Sequence, residues 1–98
     1  MEKPSLEQKV LRCVDERAET VSVIFKRYKR TYPPSLVGKI LSFNDTENDI
    51  FRALNRLTVE VLVTKTVTRY LDEEALKEDV ALFQLSNIGR QQLLKKTR

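Results

Sequence analysis

Side chains that can hydrogen-bond to the edges of nucleic-acid bases recur at helical spacing in the middle of the chain. They are Asn48, Arg52, Asn55 and Arg56. Arginine pairs in a bidentate manner with guanine, and asparagine with adenine, in the major groove of DNA. The intervals between these residues predict that they lie on the outward side of one helix, together with Glu47 and possibly Asp49. We therefore predict that these four residues contact bases.

Acidic residues also collect at the start of that helix, at Asp45, Glu47 and Asp49. Two interpretations are open. Carboxylates favour helix N-termini because they cap free N–H groups and interact well with the helix dipole. They would equally repel a phosphate backbone at the end of the helix that usually enters the groove.

A second set of side chains could contact a phosphate backbone. The basic and hydroxyl residues of this set are Lys26, Arg27, Lys29, Arg30, Lys39, Thr64, Lys65, Thr66 and Arg69. The first four surround Tyr28 and form the densest positive patch of the chain. A solvated helix face, and a solvated hairpin face for the later four, would explain the same residues.

The residue inventory excludes several kinds of site. The chain has 98 residues, no histidine and a single cysteine, so it lacks the ligands of a structural zinc site and the base of a Cys–His or Ser–His nucleophile. We expect no enzyme activity, no metal, no cofactor and no small-molecule ligand. Cys13 lies on an apolar helix face and is read as a core residue, or else as one half of an intermolecular disulfide.

Hydrophobic periodicity and capping residues predict a single α+β, mainly helical domain. Ser5 and Gln8 form a possible capping box for the first helix, Thr20 caps the second, and Thr46 with Asp49 forms a second box. Alternating β-branched residues then predict a hairpin, and Ser86 caps a closing helix in which Ile88, Leu93 and Leu94 face the core. The expected helices are 6–18, 21–32, 35–43, 47–58 and 87–97, and the expected strands are 61–71 and 80–85.

Two local patterns resemble the winged-helix family of DNA-binding domains, especially the MarR and PadR types of transcriptional regulator. Residues 53–57 (ALNRL) followed by 61–63 (VLV) look like the end of a recognition helix running into the first wing strand. Residues 83–93 (FQLSNIGRQQL) look like the aromatic-x-Leu-Thr-x-x-Gly-x-x-x-Leu run at the end of the wing. The resemblance covers roughly residues 34–94 and implies a winged helix-turn-helix, with its helix-turn-helix formed by 35–43 and 47–58.

The resemblance implies sequence-specific binding of double-stranded DNA by a homodimeric transcriptional regulator. The N-terminal helix, and possibly the C-terminal helix, would form the dimer interface. The chain departs from the family at Val61, where a glycine is usual, so we expect that turn to be built differently. It also departs at the wing tip, where Asp72, Glu73, Glu74, Glu78 and Asp79 stand against Lys77 alone. The acidic tip moves the expected phosphate contacts towards residues 26–30.

A winged helix used as a protein-interaction module, as in a subunit of a transcription or replication complex, is the rival interpretation, and the acidic residues favour it. The net charge of +4 favours anionic partners only mildly. The first residues contain no apolar run of signal-peptide length, and no stretch approaches a membrane span. We therefore expect a cytoplasmic protein, associated with the nucleoid if it binds DNA, and no membrane partner.

Overall fold

The computed structural model describes residues 5–34, 45–71 and 77–96, with side chains described for these except 69–71, 77–79 and 96. Along the chain the elements are α1 (Leu6–Cys13), β1 (Glu19–Thr20), α2 (Val21–Thr31), α3 (Glu47–Val59), β2 (Val63–Leu71), β3 (Lys77–Leu85) and α4 (Asn87–Lys96). Within these residues, the α+β, mainly helical class expected from the sequence is confirmed. The expected helix over 35–43 lies outside the described residues.

The first helix begins where its capping box predicted and ends earlier. Ser5 Oγ accepts from the Gln8 amide, and the Gln8 side chain accepts from the Ser5 amide. The prediction that the helix continues to residue 18 is wrong. After Cys13 the backbone extends, because the Asp15 carbonyl accepts from the Leu85 amide at 2.8 Å and β1 pairs with β3. Those bonds to a distant strand replace the last turn of the predicted helix.

One face of α2 packs inwards. Ile24 and Tyr28 are buried, and Val21, Phe25 and Tyr32 pack partly buried against them. Thr20 Oγ1 accepts from the Val23 amide, which confirms its role as the cap. Because Thr20 also ends β1, one residue both closes a strand and opens a helix.

One apolar cluster holds the helices on the sheet. Its largest fully buried side chains are Phe83 from β3, Ile24 from α2, and Ile50, Leu54 and Leu57 from α3. Cys13 is 1% exposed within it, which confirms the core interpretation of that thiol. Burial raises the pKa of the Cys13 thiol, so the protonated, unreactive form is favoured.

The sheet has three antiparallel strands in the order β1–β3–β2. β2 pairs with β3 from Val63↔Leu85 through Lys65↔Phe83 to Leu71↔Lys77. The predicted strand at 80–85 was too short, because the ladder includes the polar residues 77–79, whose composition had suggested a loop. Strand β1 was not predicted, since two residues carry no period of their own.

The turn between α3 and β2 follows the Schellman pattern. The Leu62 amide donates to the Leu57 carbonyl at 3.0 Å and the Val61 amide to the Thr58 carbonyl at 3.1 Å. This pattern needs a left-handed residue after the helix, and Val61 supplies it with φ 64°. The expectation that valine would force a different turn is therefore wrong. The chain keeps the glycine conformation and accepts the strain of a β-branched residue in it.

Residues after β3 form hydrogen bonds that stabilise this strained turn. The Ser86 amide donates to the Leu62 carbonyl at 3.1 Å, and Ser86 Oγ donates to the Val61 carbonyl at 2.6 Å. Ser86 Oγ also accepts from the Gly89 amide at 3.0 Å, which confirms Ser86 as the cap of α4. A Cβ on Gly89 would lie 2.1 Å from the Leu62 carbonyl oxygen, so only glycine allows this approach.

The closing helix buries fewer apolar residues than its sequence suggested. Leu93 packs against the core, but Ile88 is 54% exposed and Leu94 59% exposed. The prediction that all three face inwards is wrong. Gly89 and Leu93 are one turn apart and define the inward side, and the other two lie on either flank of it.

Replacing Val61 by glycine should stabilise the protein by about 1 kcal/mol. A side chain in the left-handed region costs roughly 1–2 kcal/mol, and the greater entropy of glycine in the unfolded chain offsets part of the gain. Urea unfolding midpoints measure the change. Val59→Gly is the matched control, because Val59 is exposed in ordinary helix and its replacement should lower stability. Equal losses for both variants would contradict a left-handed Val61.

Candidate nucleic-acid interface

The third helix presents a polar row opposite its buried side. Ile50, Ala53, Leu54 and Leu57 are buried. Asn48, Arg52, Asn55 and Val59 follow at intervals of four, three and four, which places them on the reverse side of the helix. Asn48 and Arg52 are exposed, and Asn55 is half-buried. We call Asn48, Arg52, Asn55 and Val59 the outward row.

Each acidic residue at the start of α3 has a partner within the protein. Asp45 Oδ2 accepts from the Tyr28 hydroxyl at 2.7 Å, and Glu47 Oε1 accepts from the Ser22 hydroxyl at 3.1 Å. Asp49 Oδ2 accepts from the Thr46 amide at 2.8 Å and completes the capping box. These contacts favour the interpretation that the acidic residues stabilise the helix start. Two of the carboxylates hydrogen-bond to α2, and the third caps α3.

The same contacts shift two pKa values. The Thr46 amide and hydroxyl, with a smaller contribution from Arg52, hold the pKa of Asp49 below its ordinary value. Burial and the carboxylate of Asp45 raise the pKa of Tyr28 well above its ordinary value. Tyr28 therefore remains a hydrogen-bond donor to Asp45 at any physiological pH.

Arg56 lies to one side of the outward row. Its Nη1 donates to Glu7 Oε1 of α1 at 3.0 Å, and its side chain is 76% exposed. An open cleft of about 410 Å³ separates the two helices here, with Asp49, Arg52 and Asn55 also on its wall. An ion pair this exposed contributes little stability, so Arg56 can exchange Glu7 for another anion at low cost.

Lys65 reaches from β2 to the outward row. Its Nζ donates to Asn55 Oδ1 at 3.3 Å. The same ammonium lies over the Phe51 ring at 5.6 Å and over the Phe83 ring at 5.8 Å from their centroids. The Lys65 side chain therefore turns towards α3.

The basic patch on α2 divides into structural and exposed residues. Arg27 donates to both carboxylate oxygens of Glu19 at 2.8 Å and to the Cys13 carbonyl at 2.8 Å. It thereby joins the end of α1, β1 and α2, and its hydrogen bonds with Glu19 raise its pKa further. Lys29 lies 4.6 Å from the centroid of the Phe25 ring. Lys26 and Arg30 are exposed, and neither forms a hydrogen bond or an ion pair with a described residue.

The place of Lys26 relative to α3 follows from the contact of Ser22 with Glu47. Ser22, whose hydroxyl meets Glu47, is one helical turn before Lys26. The face of α2 that carries Lys26 therefore begins beside the N-terminus of α3. Thr64 and Thr66 are exposed on β2. The predicted contacts Lys39 and the Arg69 side chain, and the acidic side chains of residues 72–74, 78 and 79, lie outside what the structure describes.

Two residues at this surface were not predicted from local sequence patterns. Glu7 meets Arg56 across 49 positions, and the Phe51 ring lies under the Lys65 ammonium. Helix periodicity places Glu7 opposite the apolar face of the first helix and Phe51 on the apolar face of the third. A pairing between distant elements leaves no local pattern, so periodicity could not reveal it.

Other kinds of site find little support in the described part of the chain. No group of three or more His, Cys, Asp or Glu residues there could hold a metal ion. No described helix is long and apolar enough to cross a membrane. Neither finding assigns a partner to the surface.

Comparison with known proteins adds no relative. No family model, no curated protein and no solved structure matches the chain. The site must therefore be interpreted from its own geometry.

Replacing Asp49 by asparagine should reduce the acid sensitivity of the fold. A carboxylate whose folded pKa lies below its unfolded value stabilises the protein above the unfolded value, and this contribution is lost as pH falls through the folded pKa. Wild type should therefore lose stability relative to Asp49→Asn as pH falls below 3.8, the ordinary value for this carboxyl. Thermal unfolding across an acidic pH series measures the difference. Parallel profiles would show that the capping carboxylate contributes nothing through its charge.

Proposed function

We propose that this chain is a winged-helix domain that binds double-stranded DNA sequence-specifically and acts as a transcriptional regulator. α3 is its recognition helix, and β2 with β3 forms its wing. The order of α3, an antiparallel strand pair and a closing helix agrees with the layout that the sequence resemblance implied. Asn48, Arg52 and Asn55 contact bases, with Arg56 joining them when it leaves Glu7.

The observation that carries this proposal is the outward row with Lys65 beside it. Hydrogen-bonding groups from α3 and β2 meet on the side of α3 that the core does not use. A helix fits the major groove of B-DNA, where arginine, asparagine and lysine pair with base edges. No core residue must move for this side to meet DNA.

Phosphate contacts come from the flanks of α3. Lys26 lies on the α2 face that begins beside the N-terminus of α3, and Arg30 follows one turn later. Thr64 and Thr66 are exposed on β2, on the face of the strand opposite Lys65, and offer hydroxyls to a phosphate backbone that passes the strand pair. Arg27 is left out of this set, because its guanidinium holds Glu19 and the end of α1. Losing it would damage the fold before it affected binding.

The acidic start of α3 sets how the helix meets DNA. Asp45, Glu47 and Asp49 are needed for structure and keep their negative charge near the N-terminus. Since phosphates are repelled there, the middle of α3, around Arg52 and Asn55, makes the closest approach. The Lys26 side then neutralises the phosphates nearest to the acidic end.

Val59 favours a second candidate function. It closes the outward row and is 83% exposed. An apolar side chain at that position suits a protein partner and would support a winged helix that binds protein. It can also contact the methyl group of thymine in a major groove. DNA titration separates the two functions, because only one of them predicts binding that weakens steeply with salt.

Wild-type protein should bind mixed-sequence duplex DNA at low salt, with affinity that falls steeply as salt rises. Against a site selected from random duplexes, Arg52→Ala should lose about 1–3 kcal/mol and relax the preference at one position. Lys26→Ala with Arg30→Ala should weaken all sequences alike and reduce the salt slope by about 2. Fluorescence anisotropy measures both effects.

Arg17→Ala is the charge-matched control for Arg52→Ala, because Arg17 is exposed in the connection between α1 and β1 and belongs to none of the elements proposed to contact DNA. It should bind almost as wild type does. Absence of wild-type binding to any duplex at low salt would overturn the DNA proposal and leave the protein-binding candidate.

The regulator would act as a homodimer, with α4 as the better of the two expected interfaces. The apolar residues Val10, Leu11 and Cys13 of α1 are buried in their own core, whereas Ile88 of α4 is exposed. Ile88→Glu should convert a dimer to a monomer in sedimentation velocity. Gln91→Glu, an equal charge change on the same helix, should not. A wild-type protein that sediments as a monomer at all concentrations contradicts the dimer.

A further inference from the structure

The ammonium of Lys65 lies beside α3 and contacts three groups there. Lysine side chains on a strand usually extend into solvent with much rotational freedom. Here three contacts restrict the Lys65 side chain: a hydrogen bond to Asn55 Oδ1 and the faces of the Phe51 and Phe83 rings. The rings pack edge to face, with centroids 6.1 Å apart, and Phe83 is also the β3 residue opposite Lys65. The ammonium therefore lies at the base of the strand pair, beside α3.

This position fixes the orientation of the Asn55 side chain. An ammonium group has three donors and no acceptor, so the amide atom facing Lys65 must be the oxygen. The Nδ2 group, with its two N–H donors, then lies on the other side of the amide. Among the described residues no acceptor is hydrogen-bonded to Nδ2. The pair consequently offers donors from both residues.

A free asparagine and this pair suit different bases. Unpaired asparagine matches adenine, because it donates to N7 and accepts from the N6 amino group. With Lys65 bound to the amide oxygen, an adenine amino group would meet the ammonium hydrogens, donor against donor. Guanine avoids this clash, since both its N7 and its O6 are acceptors. Cytosine offers an amino donor in the groove and is rejected for the same reason as adenine.

We propose that Asn55 and Lys65 together form a guanine-reading pair, in which Asn55 Nδ2 and Lys65 Nζ donate to N7 and O6. This inference rests on the proposed function, namely that α3 enters the major groove. It changes the role of Lys65 from a phosphate contact to a determinant of base specificity. It also makes the strand pair part of the recognition surface near its base, without the acidic tip.

Selection of binding sites from a library of random duplexes tests the pair. Wild type should select guanine at the position under Asn55. Lys65→Met keeps the length of the side chain and its packing on Phe51 and Phe83 but removes the ammonium. At that position it should select adenine, because no ammonium then opposes the N6 amino group and Asn55 can donate to N7 and accept from N6. Its affinity for the wild-type site should fall about 10- to 100-fold.

Two further measurements identify the groups involved. Replacing the selected guanine by 7-deazaguanine removes the N7 acceptor and should weaken wild-type binding. Asn55→Asp replaces the Nδ2 donors by an acceptor while the Lys65 contact becomes an ion pair, so it should select cytosine in place of guanine. Asn55→Asp also tests the pair if Lys65→Met proves unfolded by circular dichroism.

Lys26→Met is the matched control, because it removes one positive charge from α2. It should weaken binding to all sequences and leave the selected guanine unchanged. If wild type and Lys65→Met select the same base, or if wild type selects adenine, the guanine pair is wrong while DNA binding stands. If wild type binds no duplex at low salt, the proposed function itself fails.

Discussion

The left-handed turn at Val61 and Leu62 is the constraint on which the rest of the molecule depends. It ends α3, starts β2, and its two carbonyls accept from Ser86 at the end of β3. Gly89 of α4 rests directly on the Leu62 carbonyl. Four elements are therefore fixed by one pair of residues. Without this turn, β2 would leave α3 in another direction, and Lys65 would not reach Asn55.

A second set of contacts fixes the opposite end of α3 and explains where the negative charge lies. Tyr28 and Ser22 of α2 donate to Asp45 and Glu47, while Asp49 closes the capping box. Carboxylates there serve the fold, and they make one end of the proposed surface unfavourable for phosphates. The donors are displaced towards the middle of α3 and towards β2. The hydrogen bonds and the charge distribution therefore both favour a contact with the proposed DNA partner that is centred on Arg52 and Asn55.

Much of the fold could be predicted because its signals are local. Four helix starts followed from capping residues, and the β2–β3 pair followed from alternating β-branched residues. The errors arise where distant elements decide. Residues 14–18 have helical spacing, but the Asp15 carbonyl bonds to Leu85. Residues 77–79 look like a loop, but the register with 69–71 makes them strand. Ile88 and Leu94 look like core, but Gly89 determines which side of α4 turns inwards.

The sequence by itself determined the inventory of the candidate site: no histidine, one buried thiol, and asparagine and arginine residues at helical spacing on α3. Local rules sufficed for these, because composition and period need no tertiary partner. Only the tertiary structure decided which polar residues are committed to the fold and which remain available. In the structure Arg27 forms an ion pair with Glu19, and Arg56 forms one with Glu7. Lys65 donates a hydrogen bond to Asn55, ten positions earlier in the chain. Hydrogen bonds and ion pairs between separate elements depend on how the backbone packs, and the residues adjacent in sequence do not indicate that packing.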